Sequence, residues 1–432
     1  MEESGQIKQS PYQHKYIDKG FWAILIFLML VSVVSIFSAS SQLINKSMAA
    51  GLGTYRPIVS HIGFLIFGAA LAYAIQFIPS WFIRMGGYIL LAFSMVCLLL
   101  TFTKLGESAN EAARWIRLGP VQFQPSELAK LSLIIVVSDL LARIKTEQDR
   151  KKYFWIALTL TGVVCLLIVS SNLSTVILIG AVVLVLMFLA RIPWKWLTAI
   201  VGTALLVLVC GYLFVEHVYV KPGKDMSGPF KRATVWVGRI DDMIDGHKAD
   251  KQDSTIRVTD DNYQSTMAQV AVARGGQSPF GVGPGNSVMR NKLPLAFMDF
   301  IFAIIVEETG LVGAVFLIIL YMSILCRACI ATSRYADYSA LLMVMGLAIM
   351  LTTQAFISMA VAVGLGPVTG QPLPLISKGG TSILTTCLYF GIMMSVCREQ
   401  NMRKDTELQT REESRKMVPD LEMDDSIHSE QS

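Results

Sequence analysis

Charge is what this 432-residue chain is short of: 16% of it is Asp, Glu, Lys or Arg, while 53% is hydrophobic. A soluble domain carries roughly 25% charged residues, so the deficit excludes an ordinary water-soluble enzyme. The seven cysteines (Cys97, Cys165, Cys210, Cys326, Cys329, Cys387 and Cys397) fall within apolar runs or at their ends. None sits at metal-ligand spacing and none suggests a disulfide framework, so they read as small buried hydrophobes. Phosphate-loop chemistry is missing as well. Gly275-Gly276 and Gly281-Val282-Gly283-Pro284-Gly285 lack the Lys-Ser/Thr of such a loop and the strand–helix context of a dinucleotide site. The acids Asp241, Asp242 and Asp245 lack the spacing and terminal Glu of a calcium loop. A net charge of +5 is too mild to suggest nucleic acid.

What is present in quantity is long apolar runs. With about 20 residues needed to cross a bilayer as a helix, the sequence predicts ten spans: 21–40, 59–78, 86–103, 126–142, 154–171, 174–190, 197–215, 299–327, 339–363 and 380–397. The fold expected is an all-α polytopic membrane protein. The first run ends in Phe37-Ser38-Ala39-Ser40, a loose imitation of a cleavage site, but its length and long polar lead argue for a retained span. Lys8, Lys15 and Lys19, the run Arg143 to Lys152, Arg191 with Lys195, Arg327 with Arg334, and Arg398 with Arg403 and Lys404 all fall on one side of this topology. Basic loops mark the cytoplasm, so both termini are expected there. The organisation read from this is a cytoplasmic segment 1–20, a membrane domain 21–398 and a disordered tail 399–432, polar and poor in aromatics.

Three segments remain for the outer face: 104–125, the long loop 216–298, and 364–379, rich in Gly and Pro. Long structured loops tend to carry function. The stretch 275–310 is the most suggestive. A glycine-rich loop runs into Arg290 and Lys292, then into Asp299, where water gives way to hydrocarbon. Asp299 suits a helix cap. It also suits a proton-accepting carboxylate, whose pKa burial raises and neighbouring cations lower. Glu307, eight residues on, lies about 80° round and about 12 Å further along an ideal helix. It needs a partner, with Lys130 the candidate, while Glu308 either faces elsewhere or marks a break at Thr309-Gly310. In the fourth span Glu127 and Lys130 are three apart and share a face. Ionisable residues inside a membrane are costly and point either to a packing pair or to a polar pocket wall. Irregular backbone at membrane depth, as 364–379 requires, is tolerated only inside protein or along a cavity, and N–H groups at the Gly379-Gly380 helix start can receive an anion.

Arg114-Trp115-Ile116, Gln124-Pro125-Ser126-Glu127-Leu128-Ala129-Lys130, Tyr263-Gln264, Asp299-Phe300-Ile301-Phe302-Ala303 with Glu307-Glu308, and Pro367-Val368-Thr369-Gly370 through Pro374-Leu375-Ile376-Ser377 with Gly379-Gly380-Thr381-Ser382 come in order along the chain. Together they resemble the SEDS family, the family of FtsW, RodA and SpoVE. The resemblance covers nearly all of 20–398 and is nearer FtsW in the 281–287 glycine pattern and the long tail. It implies a ten-helix glycosyltransferase of the bacterial inner membrane that polymerises lipid II into peptidoglycan, expected at the division septum. A class B penicillin-binding protein and other divisome membrane proteins are the implied partners, with lipid around the spans. The family's essential aspartate corresponds to Asp299, and its fourth-helix pair to Glu127 and Lys130. Substrate contacts are expected from Arg114, Glu127, Lys130, Gln264, Lys292, Ser377 and Gly379, with a divalent cation (Mg or Mn) as an optional helper for the leaving pyrophosphate. A lipid II flippase and an elongation-type polymerase are the alternatives. The chain departs from the family pattern at Leu295-Ala296-Phe297-Met298, where Glu-Ala-His-Thr is usual, at Asn172 in place of an acid, at Lys378 in place of an aromatic, and in a longer, more charged insert at 239–263.

Overall fold

The computed structural model describes residues 16–40, 44, 48, 55–102, 106–109, 112–118, 121–220, 236–238, 263–293, 296–333, 335 and 337–429. Among the described residues ten long helices stand where the apolar runs are. The first seven are α1 (Lys19–Ala39), α2 (Arg56–Ile75), α3 (Ser80–Leu100), α4 (Pro125–Ala142), α5 (Glu147–Val169), α6 (Leu173–Leu189) and α7 (Trp194–Val215). After the short α8 (Tyr263–Gly275) and α9 (Met289–Lys292) come α10 (Ile301–Thr332), α11 (Tyr338–Ala362) and α12 (Gly380–Ser429). Eight of the ten are long and apolar enough to cross a membrane. The other two are α6, apolar but only 17 residues long, and α4, which carries Glu127, Lys130 and Asp139. The chain is a multi-pass membrane protein.

The helix boundaries have local causes. The Asp18 carboxylate accepts from Phe21 N–H at 3.0 Å and opens α1. Pro125 sits in the first turn of α4, where its missing N–H costs nothing. Thr146 and Asp149 form a reciprocal cap on α5. Asn172 breaks the longest apolar stretch: its Oδ1 accepts from Thr175 N–H at 3.3 Å, so α6 starts afresh one residue later. An amide caps as well as the acid it replaces.

α4 and α11 form the centre. α4 packs against α3 and α11, α11 against α10, and α12 against α2. Nearly every α4 side chain is buried, whereas α7 exposes Leu205, Leu206, Val207 and Val209, as a helix bathed in hydrocarbon would. One end of the bundle is tied by ions beside the basic loops. Arg327 forks onto Asp18 at 3.0 and 2.6 Å, Arg143 meets Asp139 at 2.6 Å, and Arg84 reaches Asp139 and Asp337 at 3.8 and 3.7 Å.

Two features differ from the sequence expectation. The first outer segment is a three-stranded antiparallel sheet, β1 (Gly106–Ala109), β2 (Ala112–Leu118) and β3 (Val121–Phe123), in that order. Gly119-Pro120, a turn-forming pair in sequence, separates β2 from β3. The tail expected to be disordered instead continues α12 through Ser429. It is rich in Glu, Lys and Arg, which are good helix formers, and an Arg403–Glu399 pair one turn apart supports its start at 2.6 Å. The charged part of the long loop, with Lys231, Arg232, Asp241, Asp242 and Asp245, lies outside the described residues.

Candidate functional site at the glycine-rich end

The end of the bundle opposite the ion clamps is built around a break in α10. Gly310 has φ 65° and ψ −157°, outside helical space. Such a break strands the carbonyls of the preceding turn. The glycine-rich loop supplies their donors: Val282 N–H meets the Glu307 carbonyl at 2.9 Å, and Gly283 N–H meets that of Glu308 at 3.0 Å. Val312 N–H in turn reaches the Pro279 carbonyl at 3.1 Å. Contact is so close that a Cβ on Gly310 would lie 2.3 Å from Gly281 N. The glycines serve backbone-to-backbone packing, which is why no phosphate-loop pattern accompanies them.

The break also separates the two acids. Glu307, fully buried, accepts from the Ser287 hydroxyl, from the backbone N–H groups of Val288 and Met289 at 3.2 and 3.3 Å, and pairs with Arg274 at 3.5 Å. Its expected partner, Lys130, is elsewhere. Lys130 is 0% exposed and donates to Glu127 at 2.7 Å and to Gln354 Oε1 at 2.9 Å. The geometric reason is that the loop folds back over α10 and reaches Glu307 first, while α11 presents Gln354 to α4. Glu308 faces the other way and accepts from the Ser38 hydroxyl of α1. The Glu307 contacts fix the segment that leads into α9, which carries half-buried Arg290 and exposed Lys292.

Residues 364–379 line the same end as irregular backbone, and protein side chains satisfy their carbonyls. Gln354 Nε2 donates to Pro372 at 3.1 Å, Tyr321 to Pro374 at 2.6 Å and Ser32 to Leu375 at 2.8 Å. Leu375 is thereby held at φ 68°, unusual for a side-chain-bearing residue. Gln354 thus links the Glu127–Lys130 pair to this segment. The segment in turn grips the turn at Asp299. Ser377 Oγ accepts from Leu373 N–H at 2.8 Å and donates to the Met298 carbonyl at 2.5 Å. Lys378 N–H donates to the Phe297 carbonyl at 2.9 Å.

Asp299 lies half-buried in the turn immediately before α10, and the cap position falls to Phe300. Of the other residues expected at the site, Ser377 spends its hydroxyl on the clamp, and Gly379 precedes the first residue of α12. Gln264 stands, half-buried, in the first turn of α8. Arg114 lies on β2, with its side chain outside the described residues. Gln354, Arg274, Ser38 and Tyr321 were not singled out by sequence. Gln354 had a signal, as a long polar side chain within an apolar span; the others did not. Among the described residues no group of three His, Cys, Asp or Glu is arranged to hold a metal. Glu127, Glu307 and Glu308 are engaged by the partners described above.

A family model described as "Cell cycle protein", covering FtsW, RodA and SpoVE, matches residues 18–402. The chain is 31% identical over 395 residues to the probable peptidoglycan glycosyltransferase FtsW of Saccharophagus degradans, covering 89% of this chain and 93% of that one. It is 28% identical to the like-named protein of Coxiella burnetii, over 88% of this chain and 96% of the relative. Among solved structures it is similar to a chain of a peptidoglycan synthase complex described as coordinating polymerization and crosslinking, at TM-score 0.66 and 26% identity, over 89% of this chain and 98% of that chain. It is also similar to Thermus thermophilus RodA, at TM-score 0.60 and 25% identity, with coverage of 89% and 97%. The motifs, the ten-helix arrangement and these matches have one reading: the chain belongs to the FtsW/RodA/SpoVE family.

Proposed function

We propose that this protein is a peptidoglycan glycosyltransferase that polymerises lipid II at the outer face of the cytoplasmic membrane, during septal division. The observation that carries the reading is the immobilised turn at Asp299. The turn that carries this carboxylate is held by Ser377, which donates to the Met298 carbonyl, and by the Lys378 N–H, which donates to the Phe297 carbonyl, at the end of the bundle remote from the basic loops. The names of the relatives, peptidoglycan glycosyltransferase FtsW, support the activity and the septal role. The synthase complex among the structural neighbours supports a crosslinking partner, assigned as a class B penicillin-binding protein.

In the proposed reaction the 4-hydroxyl of a lipid-linked disaccharide attacks the anomeric carbon of a second lipid-linked chain. Asp299 takes the hydroxyl proton as the new C–O bond forms. The bond from the anomeric carbon to the lipid pyrophosphate breaks, and that pyrophosphate leaves with the electron pair. One displacement inverts the anomeric centre, so no covalent enzyme intermediate is needed. Cations at this end, with Arg114 and Lys292 among them, stabilise the charge that develops on the leaving group. Both termini are assigned to the cytoplasm.

Flipping lipid II across the bilayer would require a continuous polar path. The ionisable groups of α4 cluster at its two ends, Glu127 and Lys130 at one and Asp139 at the other, with Leu131, Leu133, Ile134, Ile135, Val136 and Val137 buried between them. This arrangement favours polymerisation. Loss of a general base typically costs about 10²–10⁴-fold in rate. Asp299→Asn in the purified complex is therefore expected to lose labelled-glycan synthesis by about that factor, while still binding lipid II. Normal polymerisation by the Asn variant would sink the assignment of Asp299 as base. Movement of lipid II across liposomes without polymer would favour the flippase.

A further inference from the structure

Lys378 belongs to none of the contacts expected of the site, yet it stands at its centre. Its backbone N–H is tied to the Phe297 carbonyl, two residues before Asp299. Its ammonium lies 5.7 Å from the centroid of the Phe297 ring. A cation over an aromatic face is seated by the ring quadrupole, which fixes the direction of a long side chain that is otherwise free to wander. Lys378 and Phe297 are two of the positions at which this chain leaves the family pattern, and the fold puts them in contact.

Among the described residues the seat carries no counter-charge. No described carboxylate lies within ion-pair distance of the Lys378 ammonium, although half the side chain is buried. The neighbour within electrostatic reach is His61 of α2. The Ser32 hydroxyl hydrogen goes to the Leu375 carbonyl at 2.8 Å. The 2.8 Å contact between Ser32 Oγ and His61 Nε2 therefore has the ring as donor. That tautomer leaves Nδ1 with a bare lone pair, and Nδ1 is buried without a hydrogen-bond partner among the described residues. The Phe297 ring offsets only part of the desolvation of this half-buried ammonium, and burial pushes the Lys378 pKa down. Lys130, by contrast, is enclosed and bound to Glu127 and Gln354.

We propose that Lys378, held over Phe297, is a binding residue for the pyrophosphate of a lipid-linked sugar substrate. The proposal rests on the glycosyltransferase reading for the identity of that substrate. The anion completes an ion pair that the described residues leave open, next to the turn that carries Asp299. Bulk phospholipid presents a phosphate of similar chemistry, and the test separates the two sources.

The full chain in nanodiscs is titrated with undecaprenyl pyrophosphate, with uncharged polyprenol, and with phosphatidylglycerol as competitor. Wild type, Lys378→Arg and Lys378→Met are compared. Lys378→Met is expected to weaken undecaprenyl pyrophosphate binding about tenfold or more, and Lys378→Arg by less than about threefold. Polyprenol should bind all three alike. In polymerisation assays Lys378→Met should raise KM for lipid II with a smaller change in kcat. Equal binding of the pyrophosphate lipid by wild type and Lys378→Met overturns the proposal. So does parallel loss of polyprenol binding, which marks a general defect. Competition by phosphatidylglycerol as strong as by the pyrophosphate lipid overturns the substrate assignment. If wild type binds the pyrophosphate lipid through Lys378 and makes no glycan, the anion site stands and the glycosyltransferase reading fails.

Discussion

At the scale of single residues, the Glu127–Lys130 pair shows how a sequence signal and its meaning can separate. Two opposite charges one helical turn apart in an apolar run are visible without a structure. The structure adds that the ammonium is wholly enclosed and shared with Gln354, which passes the connection on to the Pro372 carbonyl. Removing one partner of a buried pair leaves the other uncompensated, at about 3–5 kcal/mol. Lys130→Met and Glu127→Gln are each expected to lower thermal stability in detergent sharply, and the double variant should cost less than the two single losses added. Additive losses in that cycle would show that the two charges do not couple. The same comparison bears on catalysis. A packing role predicts that any loss of polymerisation tracks the loss of folded protein. Glu307 teaches the opposite lesson. Its need for a partner was legible from its depth in the membrane, but the partner, Arg274 with Ser287 and two backbone N–H groups, was not. Arg274 lies thirty-three positions before Glu307 in the chain, on a separate helix, and no periodicity joins one helix to the interior of another.

At the scale of elements, α10 is the part whose irregularity matters most. A continuous helix would bury its own carbonyls and leave the glycine-rich loop nothing to bind. The break at Gly310 turns two carbonyls outward, and the loop docks on them. Gly310→Ala places a Cβ 2.3 Å from Gly281 N at a φ of 65°, so the loop must move away. The expected result is loss of monodisperse protein in size exclusion, with the segment 276–293 becoming accessible to protease. Gly180→Ala in α6 is the control: nothing lies within 4 Å of the added Cβ. Exchanging Gly for Ala in a helix interior is expected to be neutral or stabilising by up to about 1 kcal/mol. Helix boundaries were largely readable because caps and prolines are local signals, as at Asp18, Pro125 and Asn172. The outer sheet was not anticipated, since its strands are short and lie between two long helices. Nor was the helical course of the tail, because polar composition alone does not distinguish a solvated helix from a disordered chain.

At the scale of the whole molecule, the two ends of the bundle have different characters. One is clamped by Arg327–Asp18, Arg143–Asp139 and Arg84–Asp337 next to the basic loops. The other gathers the glycine-rich loop, the Asp299 turn and 364–379. This asymmetry predicts opposite accessibility in cells. With the exposed Cys210, Cys326 and Cys329 replaced, Phe280→Cys should react with a membrane-impermeant thiol reagent from outside, and Gln148→Cys only after permeabilisation. The reverse pattern would invert the topology and remove Asp299 from the outer face. The spans and their order follow from composition, because a bilayer imposes a length rule on each helix independently, and the direction assigned to them follows from basic-residue placement. The neighbours of Asp299 are not. Ser377 and Lys378 come from some eighty residues further along the chain, and they reach the turn only because Gln354, Tyr321 and Ser32 bind the carbonyls of the segment that carries them. The helices were legible in the order of amino acids alone, and so was Asp299 as the candidate carboxylate. What holds the turn before that carboxylate was decided at the tertiary level, since the Ser377 and Lys378 contacts join distant segments whose partners are set by packing and hydrogen-bond satisfaction rather than by any local pattern.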